Sequence, residues 1–194
     1  MKGSILTQKQ ISNEKQSAPP AAIVIFGASG DLTQRKLIPS LYSLACDERL
    51  SDETCVIGVG RTEFNDEGFR KHLREGAKEH SRFTSDRFSD EWEKFAKHIF
   101  YLVGDYGNPE TYQRLAERLD KFDRESEIEG NHLFHMAIPP QVFIDVVEQL
   151  GRSGLNRSEK GWARNVIKKP FGRDLESARM LNQLLHQTFN EDQI

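Results

Sequence analysis

A run of β-branched and aromatic residues, Ile23-Val24-Ile25-Phe26, ends at Gly27, and a helical pattern begins near Thr33. Strand, glycine turn and helix in that order constrain this chain more than any other stretch. Together they make the phosphate-binding unit of a dinucleotide fold. Gly27 and Gly30 let backbone N–H groups approach a pyrophosphate closely, and the helix N-terminus adds its partial positive charge. Ala28 and Ser29 separate the two glycines, a departure from the usual Gly-x-Gly-x-x-Gly spacing. Asp31, with Gln34 three residues on, has the form of a helix cap whose carboxylate bonds backbone N–H groups instead of repelling phosphates.

Strand and helix patterns alternate along the rest of the chain. Strands are expected at Ala22–Phe26, Cys55–Val59, Ile99–Val103, Asn131–Ile138 and Asn165–Lys168. Helices are expected at Arg35–Cys46, Asp66–Glu79, Asp90–Lys97, Asn108–Asp123, Val142–Leu150 and Leu175–Phe189. In the first of these helices Leu37, Leu41, Leu44 and Ala45 form the apolar face, and Pro39 is tolerable near a first turn but able to kink the axis. This alternation implies an α/β fold, a doubly wound parallel sheet with helices on both faces. Ligands in such sheets bind outside the carboxyl ends of the strands. Those ends are Gly27–Asp31, Gly60–Thr62, Gly104–Tyr106, Pro139–Phe143 and Lys168–Gly172.

Arg61 is the most telling residue after the glycines. At the end of the second strand, an Asp or Glu would bind the ribose 2′-hydroxyl of NAD. Arg61-Thr62 offers instead a guanidinium and a hydroxyl, both suited to a 2′-phosphate, so NADP is the expected cofactor. Taken alone, Arg61 also reads as a surface residue able to pair with Glu63, Gly104-Asp105-Tyr106-Gly107 as an ordinary turn, and Lys168-Lys169 as plain surface. His132 and His135 point to opposite faces of a strand and make no metal pair.

The 27 basic and 30 acidic residues are interspersed and leave a net charge of −3, which gives no electrostatic case for nucleic acid. No apolar run approaches the roughly 20 residues that span a bilayer, so no membrane partner is expected. Met1–Pro20 is polar, lacks the apolar core of a signal peptide and reads as a disordered tail or leader. With only Cys46 and Cys55, both read as small apolar residues, the expected compartment is the cytosol.

The longer string Gly-Ala-Ser-Gly-Asp-Leu-Thr-x-Arg-Lys-Leu-x-Pro-x-Leu-Tyr, Gly27 to Tyr42, closely resembles the start of glucose-6-phosphate dehydrogenases. Three further stretches are similar in the same order: Gly104-Asp105-Tyr106, Ala137-Ile138-Pro139-Pro140 and Lys169-Pro170-Phe171-Gly172. The resemblance implies a Rossmann-like NADP-binding domain over residues 21–194. It implies cofactor contacts from Gly27, Ala28, Ser29, Gly30, Asp31, Leu32, Asp105 and Tyr106, beside Arg61. Lys169 is similar to the family lysine that reaches both cofactor and sugar phosphate. Two departures stand out: Lys168 replaces a family Glu, and Phe143 replaces a Tyr found in some members.

The implied reaction is oxidation of glucose 6-phosphate to the lactone with reduction of NADP, the entry to the oxidative pentose phosphate pathway. The family's sugar-phosphate block and catalytic base lie beyond Ile194, so the chain is expected to be the coenzyme domain alone, of an enzyme that is a homo-oligomer when complete. A stand-alone NADP-binding module without dehydrogenase activity is the alternative.

Overall fold

Five strands, β1 (Ala22–Phe26), β2 (Cys55–Gly60), β3 (Ile99–Val103), β4 (His132–Met136) and β5 (Ala163–Ile167), are all parallel. In the computed structural model, which describes residues 17–83, 88–167 and 174–194, they form one sheet in the order β3-β2-β1-β4-β5. β1 and β2 are buried at every position, as strands covered on both faces must be. After β3 the chain crosses to the far side of β1, so the strand order reverses between β1 and β4. That crevice is where a doubly wound sheet receives its ligand.

Six α-helices among the described residues cover the sheet. α1 (Ile38–Cys46), α2 (Asp66–His80) and α3 (Phe88–Ala96) pack on one face around Ile25, Tyr42, Phe69, Leu73 and Trp92. α4 (Pro109–Glu125), α5 (Phe143–Arg152) and α6 (Leu175–Thr188) cover the other, around Val24, Phe26, Tyr112, Phe134 and Val147. Asn65 and Asn108 cap α2 and α4 by accepting from the Gly68 and Glu110 amides. Ala18, within the stretch read as a tail, donates its N–H to the Arg49 carbonyl, and the Pro20 carbonyl accepts from the Asn131 amide group.

The first helical segment departs from expectation. Residues 31–46 are continuously helical, but Thr33–Leu37 is a π-turn, with the Ile38 N–H bonded to the Thr33 carbonyl. The wider turn precedes Pro39, which has no N–H to give. One extra residue in the turn rotates the buried face by one position. Ile38 and Tyr42 enter the core in place of the expected Leu37 and Leu41, which are only partly buried, and Leu44 stays exposed. β5 also begins two residues earlier than expected, because pairing of Ala163 with His132 extends it over Ala163 and Arg164, whose strand propensity is low. Cys55 is buried, which pushes its thiol up to about 12, and burial raises that of Cys46 as well. Cys55 behaves as the apolar filler expected of it, whereas Cys46 is only partly buried and its thiol donates to the Glu91 carboxylate at 3.8 Å.

The edge strand β3 is closed to further pairing by side chains. Arg70 donates to the Ile99 carbonyl at 2.8 Å, and the Asp66 carboxylate accepts from the Tyr101 N–H at 2.6 Å. Arg118 donates to the Tyr101 carbonyl at 2.8 Å, and Arg114 to that of Val103 at 3.1 Å. Arg70 and Arg118 also lie over the Phe100 ring, each 5.6 Å from its centroid. Such a row of unpaired backbone groups otherwise invites a second chain. Arg118→Ala opens the Tyr101 carbonyl and leaves Asp66 without its counter-charge, so it is expected to lower stability by about 1–2 kcal/mol and promote self-association. Denaturant titration with sedimentation velocity measures both; a variant as stable and as monodisperse as the parent contradicts the clamp.

Candidate cofactor site

The site is assembled where β1 ends. Gly27 stands at φ +83°, and a Cβ there would lie 2.2 Å from the Ala137 carbonyl oxygen. Only glycine allows the turn after β1 to press so closely on the end of β4. The Gly27 and Ala28 amides both donate to the Val59 carbonyl, which ties the turn to the end of β2 as well. Gly30 donates back to the Gly27 carbonyl and accepts from Gln34, the first amide of the helix to find a helical partner. The amides of Asp31 and Leu32 donate to no backbone carbonyl among the described residues and open outward from the helix N-terminus.

The Asp31 side chain does not cap this helix. Its carboxylate is 78% exposed and pairs with Arg35 at 3.5 Å. The helix begins at Asp31 itself, so Asp31 stands inside the first turn, where its side chain cannot bend back to the amides as a cap does. Thr33 supplies a local tie instead, its hydroxyl donating to the Gly27 carbonyl at 3.3 Å.

Arg61 lies at the end of β2, exposed, without an ion pair or hydrogen bond among the described residues; the pairing with Glu63 does not form. Beside it the Thr62 hydroxyl donates to Ser29 Oγ at 3.0 Å, bridging the β2 end to the glycine turn. Arg61 thus adjoins in sequence the Thr62–Ser29 pair, which links the β2 end to the turn that leads into the helix.

Asp105 and Tyr106, although neighbours, have different surroundings. The Asp105 carboxylate is exposed and accepts from the Gly107 N–H at 2.9 Å, closing the turn into α4. Tyr106 is a core residue, edge-on to Phe26 with ring centroids 6.2 Å apart. Burial pushes its hydroxyl above the ordinary tyrosine value, while the Gly27 amide and the Arg61 charge draw it back. Tyr106 therefore reaches the site from beneath, with its oxygen against the floor of the turn. Phe143 is buried as the first residue of α5, where a bare ring suits the surroundings. Lys168 and Lys169 lie outside the described residues.

His132 is taken up structurally, its Nε2 standing 3.1 Å from both carboxylate oxygens of Asp123 at the amino end of β4. Sequence reasoning passed over Tyr101. Its signal was the glycine pair Gly58 and Gly60 in β2, since glycine inside a strand marks a close neighbour. Tyr101 is that neighbour at Gly60, where a Cβ would lie 2.6 Å from its hydroxyl, while Phe69 and Ala28 crowd Gly58.

A family model described as the NAD-binding domain of glucose-6-phosphate dehydrogenase matches residues 24–194. The glucose-6-phosphate 1-dehydrogenase of Aggregatibacter actinomycetemcomitans is 40% identical over 183 residues, 91% of this chain and 35% of that protein. That of Bacillus subtilis (strain 168) is 38% identical over 176 residues, 91% of this chain and 34% of that protein. A solved glucose-6-phosphate dehydrogenase in complex with its substrate glucose-6-phosphate superposes with a TM-score of 0.82 at 31% identity, over 92% of this chain and 36% of that one. The chain spans about a third of the length of these relatives. Its glycine turn and all the strand ends around it fall inside the matched region, and the chain belongs to the glucose-6-phosphate dehydrogenase family, whose NAD-binding domain it carries.

Proposed function

We propose that this chain forms the NADP-binding part of a glucose-6-phosphate dehydrogenase. The observation that carries the reading is Arg61, an exposed guanidinium with no partner among the described residues, held at the β2 end beside Ser29 and Thr62. In an NAD-specific site a carboxylate there would accept the ribose 2′-hydroxyl. Here a cation and hydroxyls can meet a 2′-phosphate. The amides of Asp31 and Leu32, with Gly27, Ala28 and Gly30 keeping the backbone bare, receive the pyrophosphate. Asp105 offers its free carboxylate oxygen to a ribose hydroxyl, and Tyr106 supports the turn from below. By resemblance, Lys169 reaches the seam between cofactor and sugar.

The nicotinamide supplies a hydride acceptor for C1 of glucose 6-phosphate, whose hydroxyl proton passes to a base as the lactone forms. Among the described histidines, His132 is committed to Asp123 and His186 to Glu191 at the amino side of the sheet. Neither faces the crevice. By resemblance, the base is assigned to a part of the relatives' length beyond the matched third. No helix among the described residues is long and apolar enough to cross a membrane. The same reading makes the complete enzyme a cytosolic homo-oligomer.

NADP is expected to bind more tightly than NAD, and Arg61→Ala to weaken NADP by roughly tenfold while leaving NAD nearly unchanged. Calorimetric titration of both dinucleotides measures this; equal affinities in the unmutated chain sink the reading. A polypeptide of these 194 residues should bind NADP yet not reduce it with glucose 6-phosphate, since loss of a general base alone costs about 100- to 10,000-fold. Steady production of NADPH by that polypeptide would place the base within it after all.

A further inference from the structure

Tyr101 occupies an unusual position for a tyrosine of an edge strand. Its ring packs inward, 4.5 Å from Phe69 and 5.6 Å from Phe64 between centroids, and the residue is 5% exposed. Its hydroxyl reaches the last residue of β2: a Cβ on Gly60 would lie 2.6 Å from that oxygen and 3.5 Å from Ser29 Oγ. The hydroxyl is buried and has no hydrogen-bond partner among the described residues. An unpaired buried hydroxyl costs stability that phenylalanine would not, so its presence calls for a use. Burial raises the Tyr101 hydroxyl above its ordinary value and the nearby Ser29 side chain draws it back, although the two oxygens stop short of a formed hydrogen bond.

The backbone of Tyr101 is pinned on both sides, its N–H by Asp66 and its carbonyl by Arg118. The ring is wedged between two phenylalanines. A small movement of the Ser29 hydroxyl, on an exposed turn, is therefore easier than a movement of Tyr101. Ser29 has one proton to give and two lone pairs to receive with. One lone pair already takes the Thr62 proton. If the other takes the Tyr101 proton, the Ser29 proton has only one direction left, outward beside Arg61.

Resting on the NADP reading above, we propose that Tyr101 is a positioning residue for cofactor specificity: with Thr62, it fixes Ser29 as a hydrogen-bond donor toward the 2′-phosphate. A pocket built this way presents a guanidinium and a committed donor, which suits a phosphate monoester. A ribose hydroxyl gains less, because its own proton finds no acceptor on Ser29. Tyr101 touches no part of the cofactor itself and acts through Ser29.

The test is a double-mutant cycle on the 194-residue chain, with NADP and NAD titrated separately. Tyr101→Phe should weaken NADP about three- to tenfold, the size of one hydrogen bond, and change NAD by less than about twofold. In a Ser29→Ala background, Tyr101→Phe should have no further effect on NADP, a coupling that a purely structural role would not produce. Thermal unfolding of Tyr101→Phe should match or exceed that of the parent, since an unpaired hydroxyl has been removed. Equal losses for both dinucleotides, an undiminished effect in the Ser29→Ala background, or a Tyr101→Phe chain that unfolds would each overturn the proposal. Failure of the NADP reading looks different: the unmutated chain would then show no preference, and Arg61→Ala no effect.

Discussion

The contact between Gly27 and the Ala137 carbonyl is the constraint on which the rest depends. Two parallel strands can lie side by side and still diverge at their ends. Here the absence of one Cβ, at a positive φ, brings the turn after β1 against the end of β4. The Ala137 N–H bonds the Phe26 carbonyl, and the Gly27 and Ala28 amides bond the Val59 carbonyl. Three strand ends are thereby locked at one level. The helix N-terminus must then rise directly above them, and the open amides of Asp31 and Leu32 face the strand-order reversal. Any larger residue at Gly27 would have to part β1 from β4 before it could be accommodated.

The two edges of the sheet are finished differently. On β3 the outward carbonyls of Ile99, Tyr101 and Val103, and the Tyr101 N–H, are each met by a charged side chain. On β5 Gln193 donates to the Ala163 carbonyl at 2.8 Å. Asn165 there buries both its side-chain polar atoms without a partner among the described residues, and Val166 is exposed. Charged caps make β3 a poor template for another strand. They also stiffen the strand from outside, which matters because β3 carries Tyr101 to the site.

Much of this arrangement is legible in the residues. β1 and β3 begin and end where their apolar runs do, because buried parallel strands read as continuous hydrophobic segments. The glycine turn and Arg61 announce themselves by residue type. What stays hidden depends on tertiary partners. The π-turn at Thr33–Leu37 displaces the buried face from Leu37 and Leu41 to Ile38 and Tyr42, and no periodicity reveals an inserted residue. The capping pattern of Asp31 and Gln34 misleads because the helix starts at Asp31 itself, leaving that carboxylate to Arg35. Tyr106 looks like a loop residue in sequence, and only the packing on Phe26 makes it core.

Tyr101 connects these observations. Charged caps on an edge strand are ordinarily read as protection against aggregation, with no bearing on ligand choice. In this sheet the carboxylate and guanidinium that close the edge are the same groups that hold the Tyr101 backbone, 2.6 and 2.8 Å from its N–H and carbonyl. Through the tyrosine ring, that restraint extends beneath Gly60 to the glycine turn. The turn itself is exposed and built of small residues, and a short serine side chain on it has several rotamers to choose among. Fixing its proton requires neighbours that are themselves immobile. A buried tyrosine pinned at both backbone groups meets that requirement; a loop residue would not. Edge protection and cofactor discrimination are then two consequences of one clamp, acting on opposite ends of the same residue.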